Sequence, residues 1–404
     1  MNLVMCNMSN VLDWHDGIVN RNYFVARELA QSGMFENIVL VDFLALNPVG
    51  PIFGRRRTAK YVARTHMGGV SGTVVRRYGL RHVLCKNPIL PWKTAAKTSV
   101  YTFSGMGMAS RFAADVKHLS AALQDLGLTE MNTFIWSYNA FAPELLGLPA
   151  AKRVFDAVDD WSQHASYKAF SARLQESYKQ VNAKADIIFT VSDGLRDLFT
   201  SGKAQWIPNG VDTANFAQST SQPQDIKMLR RPLVGYVGTL QERIDFDLLK
   251  QVCKAMPQAD FVFIGPVWSG VQAKADALHR ACPNTHFLGR RSYDTVPAYV
   301  AALDVAIIPH RLDAFIKSTN PMKMYEYLAA GKPIVTTPGA GTEVFADVIT
   351  ICTAPDDFAK AIQQAIVSNS KILEQKRRVA VQSHTWQARV KQMQEQVKHA
   401  MVST

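Results

Sequence analysis

The 404-residue chain has no stretch of 18 apolar residues, and its first ten residues, MNLVMCNMSN, carry no basic cluster. These absences argue against a membrane-spanning helix and a secretory leader, so we expect a cytoplasmic location. Cysteine is also scarce, and no two cysteines have the C-x-x-C spacing. This argues against a disulfide framework or a zinc site and predicts that the five cysteines are buried core thiols. They are Cys6, Cys85, Cys253, Cys282 and Cys352.

Acidic residues are missing from one long segment. No Asp or Glu occurs between Phe43 and Ala114, although twelve Lys and Arg residues lie there, including the consecutive Arg55, Arg56 and Arg57. The formal net charge of the chain, +12, is therefore unevenly distributed. Basic groups alternate here with apolar groups such as PIF and ILPW, which favours an anionic membrane surface or an anionic acceptor as partner. Nucleic acid is the rival partner, and we do not predict it.

Length and periodicity predict two α/β domains. A chain of 404 residues is too long for one ordinary core, and its hydrophobic content of 48% can supply two. Buried-type strands alternate with amphipathic helices in both halves, which is typical of doubly wound parallel sheets. The predicted strands are LVMC, NIVLVDF, TFIWSY, RVFDAVDD and DIIFTVS in the first half, and PLVGYVGTL, ADFVFIGPV, THFLGRR, VAIIPH, PIVTTP and VITIC in the second.

The predicted boundaries follow from a polar, aperiodic segment at 213–230, which we interpret as a linker. The first domain then covers 1–212 and the second 231–383. A last amphipathic helix, 384–404, is expected to pack back on the first domain. The first loop of the chain, 9–20, lacks a G-x-G-x-x-G motif, so a tightly bound dinucleotide is not expected there.

The stretch 318–338 predicts a short helix with an anion-binding start, followed by a buried strand. Asn320 is suited to cap the helix and Pro321 to occupy its first position. Gly331 is suited to a left-handed C-terminal cap, which gives a helix of about three turns.

Lys323 lies in the first turn of this predicted helix, where unpaired N–H groups and the helix dipole already favour an anion. We therefore predict that Lys323 binds a phosphate. Glu326 shares its face at spacing i, i+3, and a carboxylate there suits the vicinal hydroxyls of a ribose. The pair thus indicates a nucleotide site. The alternative is that Lys323 and Glu326 form only a solvated salt bridge on a surface helix.

Glycines at predicted turns are candidates for the same site. Gly238 follows a strand and would allow a diphosphate to approach the backbone, although such a glycine is also common for steric reasons. Gly339 and Gly341 follow the strand PIVTTP and could present backbone amides to a phosphate.

Two side chains are further candidates. Arg243 could clamp a phosphate, unless it forms a plain surface pair with the neighbouring Glu242. His310 ends the strand VAIIPH, where doubly wound sheets bind their ligands, or it only lines the wall of the crevice.

The second half resembles a known family. Gly238-Thr239-Leu240 after a strand, the strand that ends in Pro309-His310, and the block KMYEYLAAGKPIV are similar in order and spacing to glycosyltransferases of the GT-B fold, in the broad family-4 group. The block contains the M-K-x-x-[EQ]-Y pattern of bacterial exopolysaccharide enzymes that act on lipid-linked acceptors, the xanthan-type glucuronosyltransferases and the teichuronic-acid type. The resemblance covers essentially the whole chain and is weaker before Tyr138. It implies two facing Rossmann-like domains.

The resemblance also implies roles for particular residues. Many family-4 members have a Glu eight positions before the one that matches Glu326, and this chain has Ser318 there. That departure brings it closer to the inverting, xanthan-type enzymes, in which an Asp after a first-domain strand is the general base, and VFDAVDDW places Asp159 at the matching position. The resemblance does not assign a role to Arg290. The residues implied to line the nucleotide are Gly238, Leu240, His310, Met322, Lys323 and Glu326.

Other acidic and basic side chains of the first half compete with Asp159. Asp160 is adjacent, and strand alternation sends the two side chains to opposite faces, so one of them is expected to cap a helix or to be solvated. His15 and Asp16, in the first loop, are the rival bases.

These features predict a glycosyltransferase that moves a sugar from a nucleotide-diphosphate donor, with UDP favoured, to a lipid-linked saccharide at the inner face of the membrane. We expect an inverting reaction in surface polysaccharide synthesis that needs no metal or cofactor, because Lys323 and the helix start can neutralise the leaving diphosphate. The alternatives are a nucleotide-sugar epimerase or hydrolase on the same fold, and a non-catalytic membrane-bound assembly subunit.

Overall fold

The computed structural model describes residues 1–43, 72–78, 82–106, 112–217, 222–339 and 341–402. The chain divides into two units of α/β architecture. Unit 1 comprises Met1–Val191, Leu195–Ile207 and Val390–Thr404, and unit 2 comprises Ser192–Gly194 and Pro208–Arg389.

Within the described residues, unit 1 is built on a sheet of nine strands. The strands are β1 Asn2–Cys6, β2 Asn37–Phe43, β3 Thr73–Tyr78, β4 His82–Lys86, β5 Ser99–Met106, β6 Thr133–Ser137, β7 Lys152–Ala157, β8 Ile187–Thr190 and β9 Ala204–Trp206. Their order is β3-β4-β5-β2-β1-β6-β7-β8-β9. Neighbouring strands from β5 to β9 are parallel, whereas β4 is antiparallel to β3 and β5.

Helices cover the parallel part of this sheet, which explains its continuous apolar strands. Every residue of β1, β6 and β8 is buried, as expected of a parallel sheet covered on both faces. In the described part of unit 1 the helices are α1 Val11–His15, α2 Arg21–Ser32, α3 Phe112–Asp125 and α4 Ser171–Lys184.

Unit 2 is a parallel sheet with six strands in the part of the chain that is described. The strands are β10 Leu233–Val237, β11 Asp260–Ile264, β12 Thr285–Gly289, β13 Val305–Ile308, β14 Ile334–Thr336 and β15 Thr350–Ile351. The helices are α5 Thr213–Ala217, α6 Phe246–Ala255, α7 Gln272–Ala281, α8 Val296–Ala302, α9 Met322–Ala329, α10 Pro355–Ser368 and α11 Lys371–Val381, and α12 Trp386–Val402 begins in this unit.

The strand order of unit 2, β12-β11-β10-β13-β14-β15, locates its ligand crevice. The chain moves outward in one direction from β10 and then crosses to β13 on the other side. In open parallel sheets, ligands bind beyond the carboxyl ends of the two strands that flank this reversal. The residues that follow β10 and β13, Gly238 and His310, therefore lie at the expected position of a site.

Three segments differ from the sequence-based expectation. The predicted strand 153–160 ends at Ala157. The strands β3 to β5 were not predicted, because that segment was interpreted only as a basic surface. The segment 213–230, interpreted as a linker, buries Phe216 and Ile226 in the core of unit 2.

The last helix contributes to both units. Trp386 at its start is fully buried, and the chain before it pairs with Val211 through Thr385 in unit 2. From Val390 onward the helix is part of unit 1, where Gln205 donates to Gln396 at 2.9 Å.

The five cysteines are free and buried, as predicted from their spacing. Along the described ranges, no helix combines the length and the apolar character needed to cross a membrane.

Candidate functional site

The turn after β10 brings the backbone of two strands unusually close. Gly238 donates its N–H to the carbonyl of Ile264 at 2.8 Å, and its φ of +137° is a conformation that L side chains rarely adopt. A Cβ atom at Gly238 would lie 3.0 Å from Lys323 Cε. Glycine therefore leaves the space in which the Lys323 side chain lies.

Helix α9 starts later than predicted and is capped differently. Its N-cap residue is Pro321, and no side chain accepts a hydrogen bond from its first turn. The prediction that Asn320 caps the helix is wrong, because its side-chain oxygen instead accepts from the backbone N–H of Asn209 at 2.9 Å. The first N–H groups of a helix have no partner within it. The start of α9 therefore keeps its capacity to bind an anion.

The other end of α9 follows the prediction in type but not in length. Gly331 adopts the left-handed conformation, with φ +76°, but the helix has eight residues instead of three full turns. Tyr327 holds the helix over the sheet, since its hydroxyl accepts from the N–H of Val237 at 2.7 Å. The start of α9 is thus held beside the carboxyl end of β10.

Lys323 and Glu326 are not a solvated surface pair. The ammonium of Lys323 lies 4.9 Å from the centroid of the Tyr236 ring, a cation–π contact. Glu326 is only 8% exposed, and burial raises the pKa of its carboxyl to about 7, although the nearby Lys323 lowers it. A buried carboxylate beside a cation and a helix start fits a ligand site better than a solvated face.

The buried carboxyl of Glu326 should make the stability of the protein depend on pH. Its folded pKa of about 7 exceeds the ordinary value of 4.5, so the folded protein keeps a proton that the unfolded chain loses between these pH values. The free energy of unfolding should therefore fall as pH rises through this window, by about 3 kcal/mol in total. Glu326→Gln should remove this fall and raise the midpoint of thermal unfolding at pH 8.

Thermal unfolding of Glu326→Gln, measured from pH 4.5 to 8, checks this expectation. Glu343→Gln, which changes an exposed carboxylate in the same unit, is the matched control and should leave the pH profile of the parent unchanged. A Glu326→Gln protein that is no more stable than the parent at pH 8 would contradict the description of Glu326 as a carboxyl whose burial outweighs the charge of Lys323.

His310 lies at the carboxyl end of β13 and is 3% exposed. Its Nε2 atom is buried and has no hydrogen-bond partner among the described residues. Burial, followed by the charges of Lys323 and Arg243, lowers the pKa of the imidazole well below its usual value. His310 is therefore neutral at pH 7 and can give or accept one hydrogen bond without adding charge.

Arg243 does not form a surface pair with Glu242. Its guanidinium lies over the ring of Phe315, 5.5 Å from the centroid, and faces the side-chain amide of Gln241. The Oε2 atom of Glu242 is buried and has no partner in the described structure. Arg243 thus contributes positive charge to the same end of the sheet as Lys323, since both charges act on His310.

The remaining predicted residues of unit 2 differ in their exposure and in their hydrogen bonds. Leu240 is fully buried and packs in the core; its N–H donates to the carbonyl of Pro266 and its carbonyl accepts from the N–H of Trp268, both at 2.9 Å. Met322 is partly exposed. Gly339 donates its N–H to Thr342 Oγ1 at 3.3 Å, and Gly341 has φ +79°. Ser318, at the position of the missing acid, donates its hydroxyl to the carbonyl of Phe315 at 2.7 Å.

In unit 1, the two neighbouring aspartates after β7 have different surroundings. Asp160 caps a short 3-10 helix, where its Oδ1 accepts from the N–H of Ser162 at 3.0 Å. Asp159 is partly exposed, and its carbonyl accepts from the Tyr178 hydroxyl at 3.0 Å. The capping role expected for one of the two therefore belongs to Asp160.

The sequence interpretation missed a third aspartate on this strand. Asp156 is fully buried and pairs with Arg21 at 2.9 Å. Burial raises the pKa of its carboxyl, and the charge of Arg21 lowers it. The signal was present in VFDAVDD, where Asp156 alternates with the apolar core residues, but its partner lies 135 residues away.

The rival bases of the first loop lie in and after α1. His15 and Asp16 are exposed, and His15 Nε2 contacts the carbonyl of Ile89. Arg55, Arg56 and Arg57 lie outside the described residues.

No group of three or more His, Cys, Asp and Glu side chains within the described ranges could hold a metal ion. The one Asp-x-Asp spacing of the sequence, Asp245-Phe246-Asp247, lies at the start of α6, and Asp245 is its N-cap, accepting from the N–H groups of Asp247 and Leu248 at 3.1 and 2.9 Å.

Parts of the chain are similar to known proteins. Residues 231–368, which contain all the strands of unit 2, match the family described as glycosyl transferases group 1. Unit 2 is therefore similar to the domain that this family shares. The chain is also 27% identical over 198 residues to a Bacillus subtilis (strain 168) protein named as a teichuronic acid biosynthesis glycosyltransferase, TuaH. That match covers 46% of this chain and 50% of the relative, so it spans about half the length of the curated relative.

Solved structures show the fold. Sucrose-phosphate synthase from Thermosynechococcus elongatus has a TM-score of 0.70 at 13% identity, with all of both chains covered. Anabaena HepE in complex with UDP-glucose has a TM-score of 0.64 at 14% identity, covering 99% of this chain and 100% of that one. These proteins are GT-B glycosyltransferases, and the predicted GT-B fold is confirmed.

Proposed function

We propose that this chain is a glycosyltransferase that takes a sugar from a nucleotide-diphosphate donor, UDP being the favoured nucleotide, and transfers it to a lipid-linked or membrane-presented acceptor. The observation that carries the proposal is the position of Lys323. It lies at the start of α9, in the space left by Gly238, with its ammonium over Tyr236.

The charges around this position suit a diphosphate. Lys323, Arg243 and the start of α9 supply positive potential, and the neutral His310 can add a hydrogen bond. Charge that develops on the leaving diphosphate is stabilised by groups that are already oriented toward it, and this is the way in which these residues would replace a metal ion. Glu326, on the same helix face as Lys323, suits the hydroxyls of a ribose.

UDP is proposed as the nucleotide, and a polysaccharide intermediate as the acceptor class, on the support of similar proteins. HepE is described in complex with UDP and with UDP-glucose, and TuaH is named for teichuronic acid biosynthesis. A thermal-shift screen of UDP-, GDP- and ADP-sugars tests the choice. A UDP-sugar should raise the unfolding midpoint most, and stabilisation by GDP- or ADP-sugars alone would contradict it.

We further propose that the transfer inverts the anomeric configuration, with Asp159 as general base. Ser318 stands where many family-4 glycosyltransferases have a glutamate, so unit 2 lacks that carboxylate. The hydroxyl of Ser318 donates to a backbone carbonyl. Asp159 follows β7 by two residues, and the carbonyl of Asp159 accepts from Tyr178, which fixes the turn. A carboxylate on a fixed turn can accept the proton of an attacking hydroxyl.

Attachment to an anionic membrane is proposed for the basic segment from Arg55 to Lys97. Part of its described surface combines apolar and basic side chains. Val75 is 51% and Ile89 is 58% exposed, and the edge strand β3 carries Arg76, whose guanidinium pairs with Asp125 at 2.8 Å.

Changing Arg55, Arg56 and Arg57 together to Ala should weaken binding to anionic vesicles by roughly a hundredfold at low salt, since each basic residue near the surface contributes about 1 kcal/mol. Sedimentation with phosphatidylserine vesicles at low and high salt measures this effect, which salt should suppress in the parent.

The matched control for the vesicle experiment changes three exposed lysines of unit 2, Lys250, Lys254 and Lys274, to Ala. The control loses the same charge and should bind vesicles nearly as well as the parent. Equal binding of the parent to neutral and anionic vesicles would argue against this attachment, and preference for DNA over vesicles would favour the nucleic-acid rival.

A further inference from the structure

We infer that the side-chain amide of Asn320 is a further ligand of the donor diphosphate. The inference rests on the proposed function, because it adds a residue to the nucleotide site at the start of α9. Asn320 directly precedes the N-cap residue Pro321 and is 5% exposed. An amide NH2 group can only donate hydrogen bonds, so its ligand must supply an acceptor such as a phosphate oxygen.

The orientation of this amide is set by Asn209, which lies 111 residues earlier. The backbone N–H of Asn209 donates to Asn320 Oδ1 at 2.9 Å, and Asn209 Nδ2 donates to the backbone carbonyl of Asn320 at 2.6 Å. Because a backbone N–H can only donate, the side-chain atom that faces it must be the oxygen. The NH2 group of Asn320 must therefore point away from Asn209.

The NH2 group points toward Gly341. A Cβ atom at Gly341 would lie 2.6 Å from Asn320 Nδ2, so any other residue there would press on the amide. The left-handed φ of Gly341, +79°, also favours glycine. The loop after β14 therefore leaves room beside the amide.

Asn320 Nδ2 is buried and has no hydrogen-bond partner among the described residues. A buried donor without an acceptor is destabilising, and nearly all such donors in folded proteins are paired. Both oxygens of Asn320 are bonded, so within its side chain the NH2 group is the part without a partner among the described residues. An acceptor from outside the chain would complete its bonding.

The surroundings of the amide favour an anionic acceptor. The residues that follow it, Met322 and Lys323, start α9, where N–H groups and the helix dipole attract negative charge. Lys323 adds a full positive charge next to Tyr236. A diphosphate bound by Lys323 at this helix start is therefore the acceptor that we assign to the NH2 group of Asn320, which lies three residues before Lys323 in the chain.

The test compares UDP with uridine, which lacks the phosphates. Asn320→Asp keeps the oxygen that Asn209 needs and replaces the NH2 group with a second oxygen. The Asp carboxylate also carries a negative charge that repels a phosphate, so Gly341→Ala, which changes no charge, is the variant that separates loss of the contact from repulsion. We expect Asn320→Asp to weaken UDP about ten- to a hundredfold or more, as for the loss of a hydrogen bond to a charged group, and to leave uridine affinity unchanged. Calorimetry for UDP and ligand-observed NMR for uridine measure the two affinities.

A second variant covers the case in which Asn320→Asp does not fold. Gly341→Ala places a methyl group against the NH2 group and should weaken UDP several-fold with uridine unchanged. The inference is overturned if either folded variant binds UDP as tightly as the parent, which is the result expected if a water molecule occupies the amide. It is also overturned if a variant loses affinity for UDP and for uridine equally. A parent protein that does not bind UDP overturns the proposed function itself, whereas tight UDP binding in both parent and Asn320→Asp overturns only the role of Asn320.

Discussion

Asp159→Asn should lower kcat by about 10²–10⁴-fold, the range typical of a lost general base, while leaving UDP affinity unchanged. An acceptor hydroxyl has a pKa far above 7 and must lose its proton as it attacks the anomeric carbon. The amide of Asn has nearly the shape of the Asp carboxylate but cannot take that proton. Steady-state kinetics with a saturating UDP-sugar, together with calorimetry for UDP, separates the chemical step from donor binding.

The neighbouring aspartate supplies the control for this experiment. Asp160→Asn removes the same charge one residue later, but the Asp160 oxygen acts as a cap for the short helix that follows, and an Asn side chain can still accept those hydrogen bonds. It should therefore change kcat much less. Full turnover by Asp159→Asn, or retention of the donor's anomeric configuration in the product, would move attention to His15 and Asp16.

The second large effect is expected at Lys323. Lys323→Met keeps the length of the side chain and its packing against Tyr236 but removes the charge, so UDP should bind about ten- to a hundredfold more weakly. The physical reason is the loss of a charged contact to a phosphate at a helix start. Calorimetric titration with UDP measures the change.

Lys360→Met is the matched control for Lys323→Met, because Lys360 is an exposed lysine on α10 of the same unit. It should bind UDP like the parent. If Lys323→Met also binds UDP like the parent, the phosphates do not lie at the start of α9.

The elements that surround the proposed donor site of unit 2 were largely predictable from the sequence. Strands buried on both faces appear as continuous apolar runs, and their carboxyl ends are marked by Gly238 and His310. Helix α9 is marked by Pro321 before it and Gly331 after it, which places Lys323 in its first turn. These features can be predicted from the sequence because they depend on residues that are neighbours in the chain.

The parts that could not be predicted depend on distant partners. Asn320 was predicted to be a helix cap, but its side-chain oxygen accepts a hydrogen bond from the backbone N–H of Asn209 instead. Asp156 lies in a strand that was predicted, but its ion pair with Arg21, 135 residues before it, could not be predicted. The edge strand β3 is mostly exposed and rich in arginine, so it lacks the apolar pattern by which strands are recognised.

The most direct test of the proposed function is a balance of products. Purified protein is incubated with the UDP-sugar that stabilises it most and with a lipid-linked saccharide acceptor, and UDP, free sugar and glycosylated lipid are measured by mass spectrometry. A glycosyltransferase should release one UDP for each sugar added to the lipid. Free sugar or an epimerised nucleotide sugar formed without the acceptor, or no turnover with any UDP-sugar, would contradict sugar transfer by this chain.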